Sequence, residues 1–502
     1  MQTPNDMRPD FGNVGIYINA KTRDLLLAMA AELRRRHGAR IHLYTRGPEE
    51  ARFFAAWTGP KHWDTVTDAV RLGPAVGEAV ADAASLIARA RAFEARIGRP
   101  IAELSFSHRH LGRGYFLGGF RHPRASYYDD ASYAQTLNAY VRQLEFWDAE
   151  IDAKGLTLLL HGDNIAQAIA AARGVPARYL ISARYQTQWF WASDQYQTNP
   201  LFEAAWASAQ PDPSLSIGKA YTAATVKNAE FDQWMGLATV MRHTVLAAAT
   251  MAWWRLRKYQ KARAYNFVDY VTWPFRQYLG LREARRRFRT RLADLSDVPV
   301  VYFPLHKEPE ESFLLRSPER FSQHAVIAGL SRALPAGAVL AVKENRYAVA
   351  RRPRDFYAQI AALKNVVLLD IAENGVECVK RADVVATMAG TAGLEAAALG
   401  KPVVLFSAHM PIGVLPHVFT VADDADLPGL LRAALAGEGN AARAALDGSK
   451  FLAAVKASSF DLGGFHYAAP GQVALDPNWI EAATAGLEAS LRPSSRAGHK
   501  AA

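Results

Sequence analysis

Residues 383–407 read DVVATMAGTAGLEAAALGKPVVLFS, which predicts a strand, a glycine turn, a helix and a second strand in succession. Residues 383–388 and 402–406 are short apolar runs, typical of strands buried in a parallel sheet. The turn at 389–393 opens the helix at the carboxyl end of a strand, where backbone N–H groups and the helix dipole favour an anion. The pattern predicts either a phosphate site or a tight turn that the glycines only shape, because one glycine turn is a weak motif.

Glu395 follows Thr391 by four positions, so both side chains should lie on one face of that helix. A carboxylate beside a phosphate site would accept hydrogen bonds from ribose hydroxyls. The alternative is that Glu395 only favours the first helical turn through the dipole. The pattern leaves both interpretations open.

Alternating strands and helices recur along the chain and predict an α/β protein with two doubly wound, Rossmann-like domains and a helical connecting segment. The expected segments are an N-terminal domain (10–200), a basic and aromatic-rich helical connector (201–295), a C-terminal domain (296–440), C-terminal helices (441–492) and a disordered tail (493–502).

The connector interleaves tryptophan and tyrosine with arginine and lysine. This pattern is typical of a helix on a membrane surface, but a connector with a solvated basic face looks the same. The net formal charge of +11 over 502 residues favours anionic partners such as nucleotide sugars, anionic glycans or a lipid surface. No nucleic-acid-binding motif appears, so we expect no nucleic-acid partner.

Cys378 is the only cysteine, which excludes an internal disulfide and a CxxC zinc site. The first residues lack the pattern of a secretory signal, and no run of about 18 apolar residues predicts a spanning helix. We therefore expect a cytoplasmic protein, with peripheral contact to the inner face of the cytoplasmic membrane as an option. We expect no metal and no cofactor.

Three segments should end at one edge of the second sheet, because each follows a predicted strand: 305–311 (LHKEPEE), 342–345 (VKEN) and 389–393 (AGTAG). Within the first, His306, Glu308 and Glu310 are candidates for acid/base chemistry. The two glutamates could instead belong to a solvated loop or a helix cap.

Charged residues elsewhere add candidates for binding. Lys343 could neutralise a phosphate or simply pair with Glu344. The irregular segment 105–130 is rich in glycine, histidine and arginine, and such long segments inside a domain are often functional. Its arginines, Arg109 and Arg113 among them, are expected to bind an anionic substrate through paired N–H donors.

Three motifs resemble the capsular and surface polysaccharide biosynthesis glycosyltransferases, a family that includes enzymes like the capsule Kdo transferases. They are VYFPLHKEPEES (301–312), VKEN (342–345) and ADVVATMAGTAGLEAAALGKPVVLF (382–406). The match is best over 298–410 and extends more weakly to HRHLGRGYFLGG (108–119). The resemblance implies a GT-B fold and transfer of a sugar from a nucleotide-sugar donor to a growing surface polysaccharide or its lipid-linked acceptor.

The resemblance also implies site residues, with the nucleotide sugar as substrate rather than cofactor. Donor binding would involve Lys343, Glu344, Asn345, Gly390, Thr391, Ala392 and Glu395. A glycan or glycolipid acceptor would lie near Arg109, Arg113 and Asp163. The candidates for the general base are Asp163, Asp130, Glu308 and Glu310, and the resemblance favours Glu310.

The chain departs from the family pattern at two places. The family's His-Pro after Lys-Glu is Asn345-Arg346 here, so the identity of the donor is not settled by the resemblance. Thr387 lies where many retaining enzymes of this fold carry a second glutamate, which favours an inverting mechanism. A nucleotide-sugar epimerase or hydrolase on the same fold, and a non-catalytic glycan-binding assembly protein, stay open as alternatives.

Overall fold

The computed structural model describes residues 10–18, 22–105, 131–217, 235–259, 265–307, 315–320, 322–353, 355–437, 441–465 and 474–492. These residues form two compact units, each built on its own sheet. The first unit takes the described residues of 1–104, 131–209 and 454–502, and the second takes Ser105 and those of 210–453.

The strands of both units are short. They are β1 (Asn13–Tyr17), β2 (Arg40–Thr45), β3 (Thr65–Asp68), β4 (Leu158–Leu160), β5 (Ala177–Ser182), β6 (Gln188–Ala192), β7 (Val300–Pro304), β8 (Val339–Lys343), β9 (Val366–Leu368), β10 (Val384–Thr387), β11 (Val403–Leu405), β12 (Val418–Thr420) and β13 (Phe460–Asp461).

The helices vary more in length. They are α1 (Arg23–His37), α2 (Pro48–Ala55), α3 (Leu72–Val76), α4 (Ala83–Ile97), α5 (Ile101–Ser105), α6 (Tyr133–Lys154), α7 (Asn164–Ala172), α8 (Phe202–Ser208), α9 (Leu237–Leu256), α10 (Phe267–Arg287), α11 (Gln323–Ala333), α12 (Phe356–Ala362), α13 (Gly375–Arg381), α14 (Thr391–Ala398), α15 (Leu427–Leu435), α16 (Ala441–Ala457) and α17 (Pro477–Ser490). Within the described ranges, no helix combines the length and apolarity needed to cross a bilayer.

The sheet of the first unit has the order β13-β6-β5-β4-β1-β2-β3. Strands β1 to β5 are parallel, whereas β6 and β13 are antiparallel additions. The direction of chain progression reverses between β1 and β4, as in a doubly wound sheet. The alanine-rich sequence of residues 60–100 predicts a mostly helical stretch. This prediction is wrong at β3, a four-residue strand too short to show a period of its own.

Residues 182–200 are rich in aromatic side chains and follow a predicted strand, so the sequence predicts either the lining of a crevice or a hydrophobic lid that packs on the core. The structure places strand β6 in this segment. Its sequence QWFWA is buried at every position. Trp189 and Trp191 belong to the core of the first unit, and the Trp191 indole donates a hydrogen bond to the Ala483 carbonyl at 2.8 Å. The C-terminal part of the chain thus completes the first unit through α17 and β13.

The sheet of the second unit has the order β12-β11-β10-β7-β8-β9, and all its strands are parallel. Apolar runs such as VVYFP in β7 suit strands covered on both faces. Val301 and Phe303 pack on one face with helices α11, α12 and α15. The reversal between β7 and β10 completes the second doubly wound sheet, so the predicted fold class is confirmed.

One predicted helix begins later than expected. The sequence places Ser317 as the cap of a helix over 317–333, but α11 begins at Gln323. The Ser317 hydroxyl instead donates to the Phe406 carbonyl at 2.7 Å. Gln323 holds the backbone of His306, accepting from its N–H at 2.5 Å and donating to its carbonyl at 3.2 Å. Tertiary hydrogen bonds have therefore displaced the local capping pattern.

Candidate functional site

The loops after β7, β8 and β10 meet at the switch point of the second sheet, where β7 lies between β10 and β8. His306, after β7, has its ring nitrogen Nε2 3.5 Å from the backbone nitrogen of Ala389, after β10. Its carbonyl accepts from the Arg352 guanidinium at 2.6 Å, which ties it to the segment after β8. The prediction that these segments share one edge is confirmed for residues 305–307, 342–345 and 389–393, whereas residues 308–311 lie outside the described ranges.

The glycine turn leads directly into α14, which begins at Thr391 with Gly390 as its N-cap. The helix thus starts three residues earlier than the expected Leu394, so Thr391, Ala392 and Gly393 form its first turn. Gly390 donates its N–H to the Thr387 hydroxyl at 3.2 Å. The first turn of a helix presents N–H groups without intrahelical acceptors, so this end of α14 suits a phosphate.

Close packing, rather than an unusual backbone conformation, requires the two glycines. Gly390 has an ordinary φ of −82°. A Cβ on Gly390 would lie 2.9 Å from Cε1 of His306, and one on Gly393 would lie 2.4 Å from Cγ2 of Thr387. The glycines therefore do shape the turn, and the same small residues bring the helix terminus against the strand end.

We expect Gly393→Ala to lower the free energy of unfolding by about 1–3 kcal/mol, because the added methyl overpacks the buried Thr387. Gly429 in α15 is the matched control, since a Cβ there meets nothing within 4 Å. Gly429→Ala should raise stability by about 0.4–1 kcal/mol. Urea unfolding of both variants measures this. Equal free energies of unfolding for Gly393→Ala and Gly429→Ala would contradict the predicted overpacking of Thr387.

Glu344 lies at the centre of a buried network rather than on the surface of the site. Its carboxylate pairs with Arg352 through two contacts of 2.8 Å and accepts from the Tyr357 hydroxyl at 2.7 Å. It also accepts the backbone N–H of Asn345 at 2.7 Å. These bonds hold the loop after β8 in place and engage both carboxylate oxygens of Glu344.

Asn345 and Arg346, which replace the His-Pro of the resembling family, are both engaged within the second unit. The Asn345 side-chain oxygen accepts the backbone N–H of Tyr347 at 3.0 Å, which caps a short 3₁₀ turn. The Arg346 guanidinium donates to the carbonyls of Ile371 and Ala372, after β9. Arg346 is nevertheless close enough to Lys343 to lower the pKa of that ammonium group.

Lys343 and Tyr302 lie on the same face of the second sheet, because Tyr302 is paired with Ala341, two positions before Lys343 in β8. Burial lowers the pKa of Lys343, and the neighbouring Cys378 and Glu373 partly offset this effect. The pKa of the Tyr302 hydroxyl is raised, first by burial and then by Cys378 and Glu395. Burial raises the pKa of the Cys378 thiol to about 11.

Burial raises the pKa of the Glu395 carboxyl to about 7. In the part of the chain that the structure describes, no hydrogen bond or ion pair reaches this carboxylate. A partly buried acid without a protein partner is in a position to exchange its proton for a ligand's hydrogen bonds near neutral pH. Thr391 and Glu395 also share α14, as the spacing predicts.

Asp163 lies in the first unit, directly after β4 at the switch point of that sheet. One carboxylate oxygen caps α7 by accepting the Ala166 N–H at 2.9 Å, and the other accepts from the Gln143 side chain. These contacts engage both carboxylate oxygens of Asp163 within the first unit. The proposed role of Asp163 as acceptor contact or base stays a prediction.

His161, two residues earlier, is a site candidate that the sequence patterns do not reveal. It is buried and has a φ of +65°, which is uncommon for a residue with a side chain. Burial, and then the charge of Arg46, lowers the pKa of its ring to about 3. A neutral imidazole on a strained backbone at a switch point is typical of functional sites. No sequence signal encodes the positive φ.

The remaining predicted site residues lie outside the described ranges: Arg109, Arg113, Glu308, Glu310 and Asp130. Among the described residues, no three side chains of histidine, cysteine, aspartate or glutamate come together as metal ligands.

No protein family model matches the chain, and no curated protein matches it significantly in sequence. Similar solved structures include Thermosulfurimonas dismutans KpsC, a β-Kdo 2,4 transferase, with 15% identity over 56% of this chain and 80% of that chain (TM-score 0.28). Anabaena HepE in complex with UDP and glucose has 11% identity over 89% and 95% (TM-score 0.29). The UDP-GlcNAc 2-epimerase of Methanocaldococcus jannaschii has 8% identity over 85% and 93% (TM-score 0.25). The fold of this chain is defined by its own two doubly wound sheets.

Proposed function

We propose that the second unit binds a nucleotide sugar and that the protein is a glycosyltransferase of bacterial surface polysaccharide assembly. The acceptor would be the growing polysaccharide or its lipid-linked form, and the displacement would be inverting and metal-independent. The motifs over 298–410 that resemble capsule glycosyltransferases support the substrate class.

The proposal rests on three features of the second unit. The first turn of α14 begins at the carboxyl edge of the sheet, Lys343 ends strand β8 at that edge, and Glu395 in α14 has no hydrogen-bond or ion-pair partner among the described residues. The first turn of α14 would hold phosphate oxygens through the N–H groups of Thr391 and Ala392. The Lys343 ammonium would add charge, and Glu395 would accept from ribose hydroxyls. Glu344 would position the loop after β8 through its pair with Arg352.

The test is a binding screen with CMP, UDP and GDP, followed over pH. We expect one nucleotide to bind, with affinity rising about tenfold from about pH 6 to about pH 8, because hydroxyl donors select the ionised form of a carboxyl whose pKa is about 7. Nucleotide affinity should rise with pH because the ligand binds the deprotonated carboxylate, so protons compete with the ligand at low pH. Glu395→Gln should remove the pH dependence.

Glu377→Gln is the matched control. Glu377 pairs with Lys380 on α13, and its replacement should leave the pH dependence unchanged. Failure of all three nucleotides to bind would refute the proposal and would agree with a non-catalytic assembly protein. Consumption of the nucleotide sugar without any glycan acceptor would instead identify an epimerase or hydrolase on the same site.

A further inference from the structure

The positive charge of the chain is concentrated in one segment. Residues 235–291 contain thirteen lysine and arginine residues and only two acidic residues, so their net formal charge of +11 equals that of the whole chain. The rest of the chain carries 46 basic and 46 acidic residues and is neutral. Any attraction to an anionic partner at long range is therefore directed through this segment.

Helix α9, which lies in this segment, exposes apolar side chains on most of its surface. Of its twenty residues, only Val240 and Met251 are buried. Leu237, Val245 and Leu256 are exposed by 51%, 65% and 78%. A helix that is apolar nearly all round is normally covered by a protein core or by lipid.

Helix α10 packs against α9 and also exposes apolar side chains. Its apolar side chains Val268 and Leu279 are exposed by 57% and 49%, and a run of exposed arginines follows in its last turns. Arginines also lie among the aromatic rings, for example Arg257 with its guanidinium 4.5 Å from the Trp253 ring centre. We call this surface the α9–α10 face. Its exposed apolar members are Leu237, Met241, Val245, Leu246, Trp253, Leu256, Phe267, Val268, Phe275 and Leu279.

We propose that the α9–α10 face binds the surface of an anionic phospholipid bilayer. Apolar side chains surrounded by arginine and lysine match both layers of such a surface, the acyl region and the anionic headgroups. An anionic glycan would use the arginines but would leave the apolar side chains in water. A second copy of the chain would bring two segments of charge +11 together, which disfavours self-association. This inference goes beyond the proposed sugar transfer.

Sedimentation with lipid vesicles tests the inference. The full chain should bind vesicles of phosphatidylcholine that contain phosphatidylglycerol, and should bind pure phosphatidylcholine at least tenfold more weakly. Binding should weaken as salt rises from about 0.1 M to about 1 M, where charges are screened within about 3 Å. Replacing Arg242, Arg257 and Arg286 together by glutamine should lower the partition coefficient about 100-fold.

Two further variants separate the contributions. Val245→Gln with Leu256→Gln should weaken vesicle binding about tenfold through lost apolar burial, and both positions are exposed enough to leave folding intact. The control variant replaces three exposed arginines outside the segment, Arg52, Arg91 and Arg443, by glutamine and should bind like the wild type.

Three results would overturn the inference: no binding to anionic vesicles, equal binding to both vesicle types, or a dimer in sedimentation that Val245→Gln with Leu256→Gln dissociates. Nucleotide binding measured on the same samples keeps the two proposals apart. A protein that binds nucleotide but no vesicles would lose only the membrane inference.

Discussion

Replacing Glu344 with glutamine should lower the free energy of unfolding by about 3–5 kcal/mol, because it removes the negative charge that pairs with the buried Arg352 guanidinium. The side chains of this ion pair are 0% and 1% exposed, so water cannot compensate. The loss should appear in urea unfolding and as faster hydrogen exchange in β8, whose last residue precedes Glu344.

Two comparisons make this prediction specific. Glu283 pairs with Arg287 at 2.9 Å on the surface, with both side chains 60% exposed, so Glu283→Gln should cost only about 0–1 kcal/mol. The double variant Glu344→Gln with Arg352→Met should recover much of the stability, since it removes both charges of the buried pair together. A Glu344→Gln protein as stable as the wild type would show that the buried pair is not needed.

Replacing Glu310 with glutamine should reduce turnover about 100- to 10,000-fold, the usual loss when a general base is removed. If Glu310 is the general base, the substitution keeps the size of the side chain and removes its ability to take a proton from the acceptor hydroxyl. Turnover of the nucleotide sugar identified by the binding screen measures the effect, and the dissociation constant of the nucleotide should stay unchanged.

The neighbouring Glu308 provides the matched control for this assignment. If Glu310 is the base, Glu308→Gln should keep turnover within about tenfold of the wild type. Full activity of the Glu310→Gln variant would exclude Glu310 as the base. A loss confined to Asp163→Asn would move the assignment to the first unit, where Asp163 caps α7.

Patterns along the chain were sufficient for the class of fold and for the turn. Apolar runs and glycine positions predict strands and turns because their causes are local: steric limits, burial of both strand faces and helix capping. The meeting of His306, Lys343 and Gly390 at one edge also follows, because parallel strands end on the same side. Strand β3 and the start of α11 were missed because contacts with distant residues decide them.

The sequence predicts which residues belong to the candidate site, but it does not predict the role of each residue. Glu344 and Glu395 are both glutamates after strands of one sheet, and nothing in their neighbours along the chain distinguishes them. In the folded chain, Arg352 and Tyr357 donate hydrogen bonds to the Glu344 carboxylate, so Glu344 stabilises the loop after β8. Glu395 is partly buried and has no hydrogen-bond or ion-pair partner among the described residues, and burial raises its pKa to about 7.

The pattern of residues along the chain thus predicts two doubly wound sheets, the glycine turn at 389–393 and a basic, aromatic segment. Tertiary structure alone decides which glutamate is available to a ligand, that Trp189 and Trp191 fill a core, and that α9 remains uncovered. The physical reason is that hydrogen-bond partners, desolvation and exposure depend on neighbours in space, which residue spacing does not encode.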